Sequence, residues 1–292
     1  MGLKIILPNV SFTDLSLPVL PQYDAIESVG SLFLMDPSNA VGAFSGVPGI
    51  SGPIPNVLWS KAAAVLGSGN NSSLSGVVSR SDANAPNLWL KERSGKGGIH
   101  CISTQAGSQV ATGHAWVAGL PDAIRAYIRA NLPGHGFYFS IWRKITRAPL
   151  PSVGVASVFH GASNTTDFVF HTSNGNFTGA GGSNLVSPTG GDTSLAAGTN
   201  SFLAGSVNAV SGTGGAPTDP FNFGTGTFDA WSSFNYNKAH SQIIYRVYVE
   251  DLTVSGRTFA TVSALDKSLF DQAFGTGGRF AGDTYTNPST LL

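Results

Sequence analysis

The sequence holds one cysteine, few charges of either sign and no long apolar run. Cys101 alone can form neither an intrachain disulfide nor a Cys-rich zinc site, and with no Cys-His signature around it the expected role is that of a small core residue. The chain carries 16 basic and 16 acidic side chains in 292 residues, 11% charged and formally neutral. An average soluble domain has about 25% charged residues. Without clustered Lys and Arg there is no counterion release to drive binding to a phosphate backbone, so no nucleic-acid partner is expected. A brief apolar run from Ile5 to Leu7 is stopped by Pro8. It is too short for a signal peptide or a membrane span, so neither secretion nor membrane insertion is expected. The N-x-S/T triplets at Asn9, Asn71, Asn164 and Asn176 therefore carry no glycosylation meaning.

What remains is 41% hydrophobic and rich in glycine, 37 residues of it. That is enough apolar material for a sizeable core in one large domain. Residues 1–60 contain Pro8, Pro18, Pro21, Pro37, Pro48, Pro53 and Pro55. Prolines remove backbone donors and push preceding residues toward extended conformations, so this stretch reads as an arm or collar. Its apolar residues Leu32, Phe33, Leu34, Val57, Leu58 and Trp59 need cover, from the same domain or from a neighbour. Residues 61–292 then form the main domain.

Helix signals are scarce. One runs from Pro121-Asp122 through Ile124, Tyr127 and Ile128 to Asn131, with Pro121 in the first turn and Pro133 beyond the end. A shorter one spans Lys61 to Leu66 and is closed by Gly67. Strand signals dominate. Phe137, Phe139 and Ile141 alternate with Tyr138, Ser140 and Trp142; Val153, Val155 and Phe159 follow, then Phe168 and Phe170. Ile243, Tyr245, Val247 and Val249 occupy one face of a further strand, with Ile244, Arg246, Tyr248 and Glu250 on the other, as in a half-buried strand. Thr258 to Leu265 reads as its antiparallel neighbour, turned through Ser255-Gly256. Between these, residues 173–227 are crowded with Gly, Ser, Thr and Asn; short irregular strands are expected there, anchored by Leu185, Leu195, Phe202, Leu203 and Val207. Short strands separated by turns specify an all-β, antiparallel sandwich.

No catalytic or cofactor motif stands out. Gly95-Lys96-Gly97-Gly98 lacks the first glycine and the Ser/Thr of a phosphate loop and reads as a turn. Neither a dinucleotide fingerprint nor a nucleophile elbow occurs. The histidines at 100, 114, 135, 160, 171 and 240 are dispersed, although His160 and His171 could meet across a hairpin. Glycoside hydrolysis needs two facing carboxylates. Glu250 and Asp251 are adjacent and point to opposite faces, and Asp266 and Asp271 are loosely spaced. Trp116, Trp142, Trp231 and Tyr236, with Tyr138 and Phe234, could stack on sugar rings, or could fill a core or interface. Arg279 and Asp283 could pair with one another to fix the closing tail.

Two stretches carry a resemblance. Gly136-Phe137-Tyr138-Phe139-Ser140-Ile141-Trp142-Arg143, with the strands at Val153–Phe159 and Asp167–His171, resembles the concanavalin A-like, laminin G-like sandwich pattern. Tyr245-Arg246-Val247-Tyr248-Val249-Glu250-Asp251-Leu252-Thr253-Val254-Ser255-Gly256-Arg257-Thr258, with Gly278-Arg279-Phe280-Ala281-Gly282-Asp283, is similar to the C-terminal part of structural proteins of tailed bacteriophage particles. The resemblance covers about half of the chain. It implies a jelly-roll sandwich in a virion component of the tail, baseplate or fibre, assembled in the host cytoplasm with other copies or neighbouring tail proteins as partners. Carbohydrate-binding members of this fold often use a calcium site of clustered Asp and Asn; no such cluster occurs here, and no metal or cofactor is expected.

The sequence thus points first to a non-enzymatic structural subunit, second to a module that recognises host-surface glycan, and third to a polysaccharide depolymerase. The low surface charge fits a surface covered by other subunits.

Overall fold

The computed structural model describes residues 24–39, 41–80, 89–105, 116–132, 134–150, 155–161, 169–173, 185–186, 190–191, 194–208, 221–225 and 240–290. Strands β1 (Ser31–Met35), β2 (Pro53–Ile54), β3 (Gly76–Arg80), β4 (Trp89–Arg93), β5 (Ile99–Ser103), β6 (Trp116–Gly119), β7 (Gly136–Arg147), β8 (Val155–Gly161), β9 (Val169–Ser173), β10 (Leu185–Val186), β11 (Gly190–Gly191), β12 (Asn200–Asn208), β13 (Phe221–Thr225) and β14 (Ser241–Asp251) accompany helices α1 (Trp59–Leu66), α2 (Asp122–Asn131), α3 (Leu252–Ser255) and α4 (Phe259–Phe274).

The strands form two sheets. The first runs β11, β12, β7, β14, β5, β4, with β1 also paired to β14; the second runs β10, β9, β8, β13, β6, β3, β2. Among the described residues all pairings are antiparallel except that of β10 with β9. Phe33, Ile99, Cys101, Phe137, Phe139, Ile141, Leu203 and Val247 of the first sheet meet Ile54, Val78, Trp116, Ala118 and Phe223 of the second in one buried cluster. This is the antiparallel β-sandwich that the sequence specifies, and Cys101 sits in its core.

The described part of the proline-rich stretch belongs to the sheet. β1 is buried at all five positions and pairs with the second half of β14, along the same edge where the first half takes β5. Leu32, Phe33, Leu34, Val57 and Leu58 are therefore covered by their own chain and Trp59 is partly so, while residues 1–23 lie outside the described residues.

One expectation is overturned. The segment from Thr258 to Leu265 is not a strand beside β14 but the first half of α4. Thr258 caps the helix by accepting from the Thr261 N–H at 3.2 Å, and Val262, Asp266, Phe270 and Ala273 recur at helical spacing on the buried side. That helix lies on the outer face of the first sheet, where Tyr138, Trp142, Phe202, Ile243, Tyr245 and Tyr248 form a second cluster with Val262, Phe270, Ala273 and Phe280. The first sheet is thus a middle layer, and all eleven residues of β14 are buried instead of half of them. The alternation along β14 is also corrected. Its pairing with β7 slips between Ile244 and Arg246, a bulge that leaves Ile243, Tyr245 and Tyr248 on the outer face and Ile244, Val247 and Val249 inside.

The remaining expectations fare better. Helix α1 ends at Gly67, whose φ of 73° is the left-handed cap that glycine adopts without strain. Pro121 takes the position just before α2. The Gly95–Gly98 stretch is the β4–β5 turn, with Gly97 at φ 92°. Within residues 173–227 the strands β10 and β11 are short, as expected, but β12 is nine residues long and pairs with β7 along its whole length.

Candidate functional site

Beneath α4 the outer face of the first sheet carries a network of opposite charges. The bulge at Tyr245 turns Arg246 outward, and its guanidinium reaches Asp24 with both terminal nitrogens, Nη1 to Oδ2 at 2.6 Å and Nη2 to Oδ1 at 2.8 Å. Nη1 also lies 3.4 Å from Asp36 Oδ2. The same Asp36 oxygen accepts from Arg279 Nη2 at 2.7 Å, while Arg279 Nη1 donates to Ser38 Oγ at 3.1 Å. Both guanidinium groups lie over Trp142, at 4.6 Å for Arg246 and 5.7 Å for Arg279. Trp142 Nε1 donates to Asp266 Oδ1 at 3.0 Å, and Tyr138 and Ser140 donate to Oδ2 at 3.0 and 2.5 Å.

Burial and charge compete at each of these groups. Burial pushes the Asp24 carboxyl up, but the hydrogen bonds and charge of Arg246 outweigh it and hold the group below its ordinary range. Burial likewise disfavours the charged Arg246, and Asp24 more than restores it. Asp266 is fully buried, and there burial wins over Arg246 and the three donors, so its carboxyl is raised.

A cavity of about 480 Å³ opens at this network, walled by Asp24, Asn39, Trp142, Arg246, Gln272 and Arg279 among others. Its size lies within the range of small-molecule sites, roughly 300–1,000 Å³. Arg246 Nε is buried and makes no hydrogen bond among the described residues.

Two other clusters hold titratable groups. At one end of the sandwich His135 Nδ1 lies 2.6 Å from Asp251 Oδ2, which also accepts from Tyr127 at 2.8 Å. Asp251 Oδ1 caps α3 by accepting from the Val254 N–H at 3.0 Å. On the neighbouring edge, His100 is held through both ring nitrogens, by Glu92 at 2.8 Å and Thr146 at 2.9 Å, a packed arrangement with no atom left to react.

The residues singled out from sequence are dispersed. Trp116 is fully buried, donates to the Pro48 carbonyl at 3.1 Å and packs edge-on against Phe223. Trp142 is 1% exposed, with guanidinium groups over its ring. Neither offers a face for sugar stacking, because each has been drawn into a core cluster. Trp231 and Tyr236 lie outside the described residues. The register of β8 with β9 pairs His160 with Val169 and His171 with Ser157, so the two histidines are not opposite.

Glu250 and Asp251 do point to opposite sides. Glu250 is bound by Arg257, Tyr248 and Ser28, and Asp251 by Tyr127 and His135. Asp271 faces solvent and pairs with Lys267, away from the buried Asp266. Arg279 and Asp283 do not pair with each other: Arg279 takes Asp36, and Asp283 accepts from Tyr245 at 2.6 Å and from the Lys96 N–H at 2.7 Å. Each still ties the tail to the sandwich. Asp24, Asp36 and Gln272 were not singled out from sequence; the Asp24–Arg246 pair is 222 positions apart, and no local pattern could reveal it.

No family model matches the chain, and no curated protein does. Among solved structures it is similar to alginate lyase AlgAT5 from polysaccharide lyase family 7, at a TM-score of 0.32 and 12% identity, over 59% of this chain and 84% of that one. Likeness at that level says nothing about chemistry. Among the described residues no three His, Cys, Asp or Glu side chains are grouped to hold a metal, and no helix is long and apolar enough to cross a membrane.

Proposed function

We propose that the chain is a non-enzymatic structural subunit of a bacteriophage particle, placed in the tail, baseplate or fibre. The support is where its charges go. Asp36, Arg129, Arg143, Arg246, Glu250, Asp251, Asp266 and Asp283 are all buried, in a chain with only 16 basic and 16 acidic side chains to begin with. The charges fasten layers together: Arg246 and Arg279 join the N-terminal Asp24 and Asp36 to the middle sheet and the tail, and Arg257 joins Glu250 to the turn before α4. A surface without self-repulsion suits a subunit that is covered by neighbours. The carboxylates of the described residues are taken up in pairings of the same kind, with Arg, Lys or His and with hydroxyl or N–H donors.

The test is the state of the purified full chain. Light scattering coupled to gel filtration should show a closed oligomer, and cryo-EM of the native particle should place it in the tail. A monomer at all concentrations, with no affinity for particle proteins, would overturn the proposal.

A further inference from the structure

We draw no further inference here: the strongest candidate, the cavity of about 480 Å³ at Asp24, Trp142, Arg246 and Arg279 beside α4, belongs to the charge network already described, where both guanidinium groups are taken up by Asp24 and Asp36, and nothing in its walls selects a ligand.

Discussion

Asp24 grips a buried arginine with both carboxylate oxygens, and this sets how the fold responds to acid. Its carboxyl is held below the ordinary value of 3.8, so the native state favours the ionised form more than the unfolded chain does. The resulting stability is complete above the ordinary value and is lost as pH falls through the folded one. Asp266 works against this, since its carboxyl is raised by burial; keeping it ionised costs stability as pH rises past its ordinary value. Asp24→Asn should remove the carboxylate charge that pairs with Arg246 and one of its two acceptor oxygens, leaving Asp36 at 3.4 Å as the carboxylate within ion-pair reach among the described residues, at a cost of about 3–5 kcal/mol at neutral pH, as expected for breaking a buried pair from one side. Urea denaturation from about pH 7 to about pH 2 should then show a shallower acid limb than in the wild type. An acid limb of the same depth would mean that other carboxylates govern it. None of this was legible in the sequence. Trp142 and Arg246 were visible as residue types on two strands, but their stack depends on a bulge and on partners more than 200 positions away.

At the scale of elements, long alternation identifies a strand but does not show what covers its second face, and a short window of a helix does not show its repeat. β7 and β14 were found because their alternation is long, but a solvated outer face was assigned to β14, whereas α4 covers it. The α4 segment was read over too few residues. Its buried stripe includes a polar residue, Asp266, so the helical repeat only emerges once Phe270 and Ala273 are counted. The helix should therefore act as a separable contributor to stability. Phe270 packs edge-on against Trp142 at 5.7 Å and, tilted, against Phe274 at 4.5 Å; Phe270→Ala should cost about 3–5 kcal/mol. Thr258→Ala, which removes only the cap, should cost about 1 kcal/mol. Guanidinium denaturation of the two variants distinguishes the cases. Near-equal losses would mean that α4 is held by its cap and not by the sheet beneath it.

At the scale of the whole molecule, neutrality and scarcity of charge limit what ionic contact can contribute between copies. Under the proposed role, contacts between copies are expected to rest on apolar area and uncharged hydrogen bonds, because the chain has only 16 basic and 16 acidic side chains in 292 residues. Val29, Val41, Ile50, Val77 and Val254 are among the exposed large apolar side chains that remain. Screening acts on exposed charges: the Debye length falls from about 10 Å at 0.1 M salt to about 3 Å at 1 M. Self-association built on surface ion pairs weakens over that range, while association through apolar contact holds or strengthens. For this chain, sedimentation velocity between those two salt concentrations should show an unchanged or larger oligomer, and its pH dependence near neutrality should be slight. Dissociation at high salt would mean that exposed charges, Lys267 and Asp271 among them, are concentrated at the contact, and that scarcity of charge has no bearing on how copies meet.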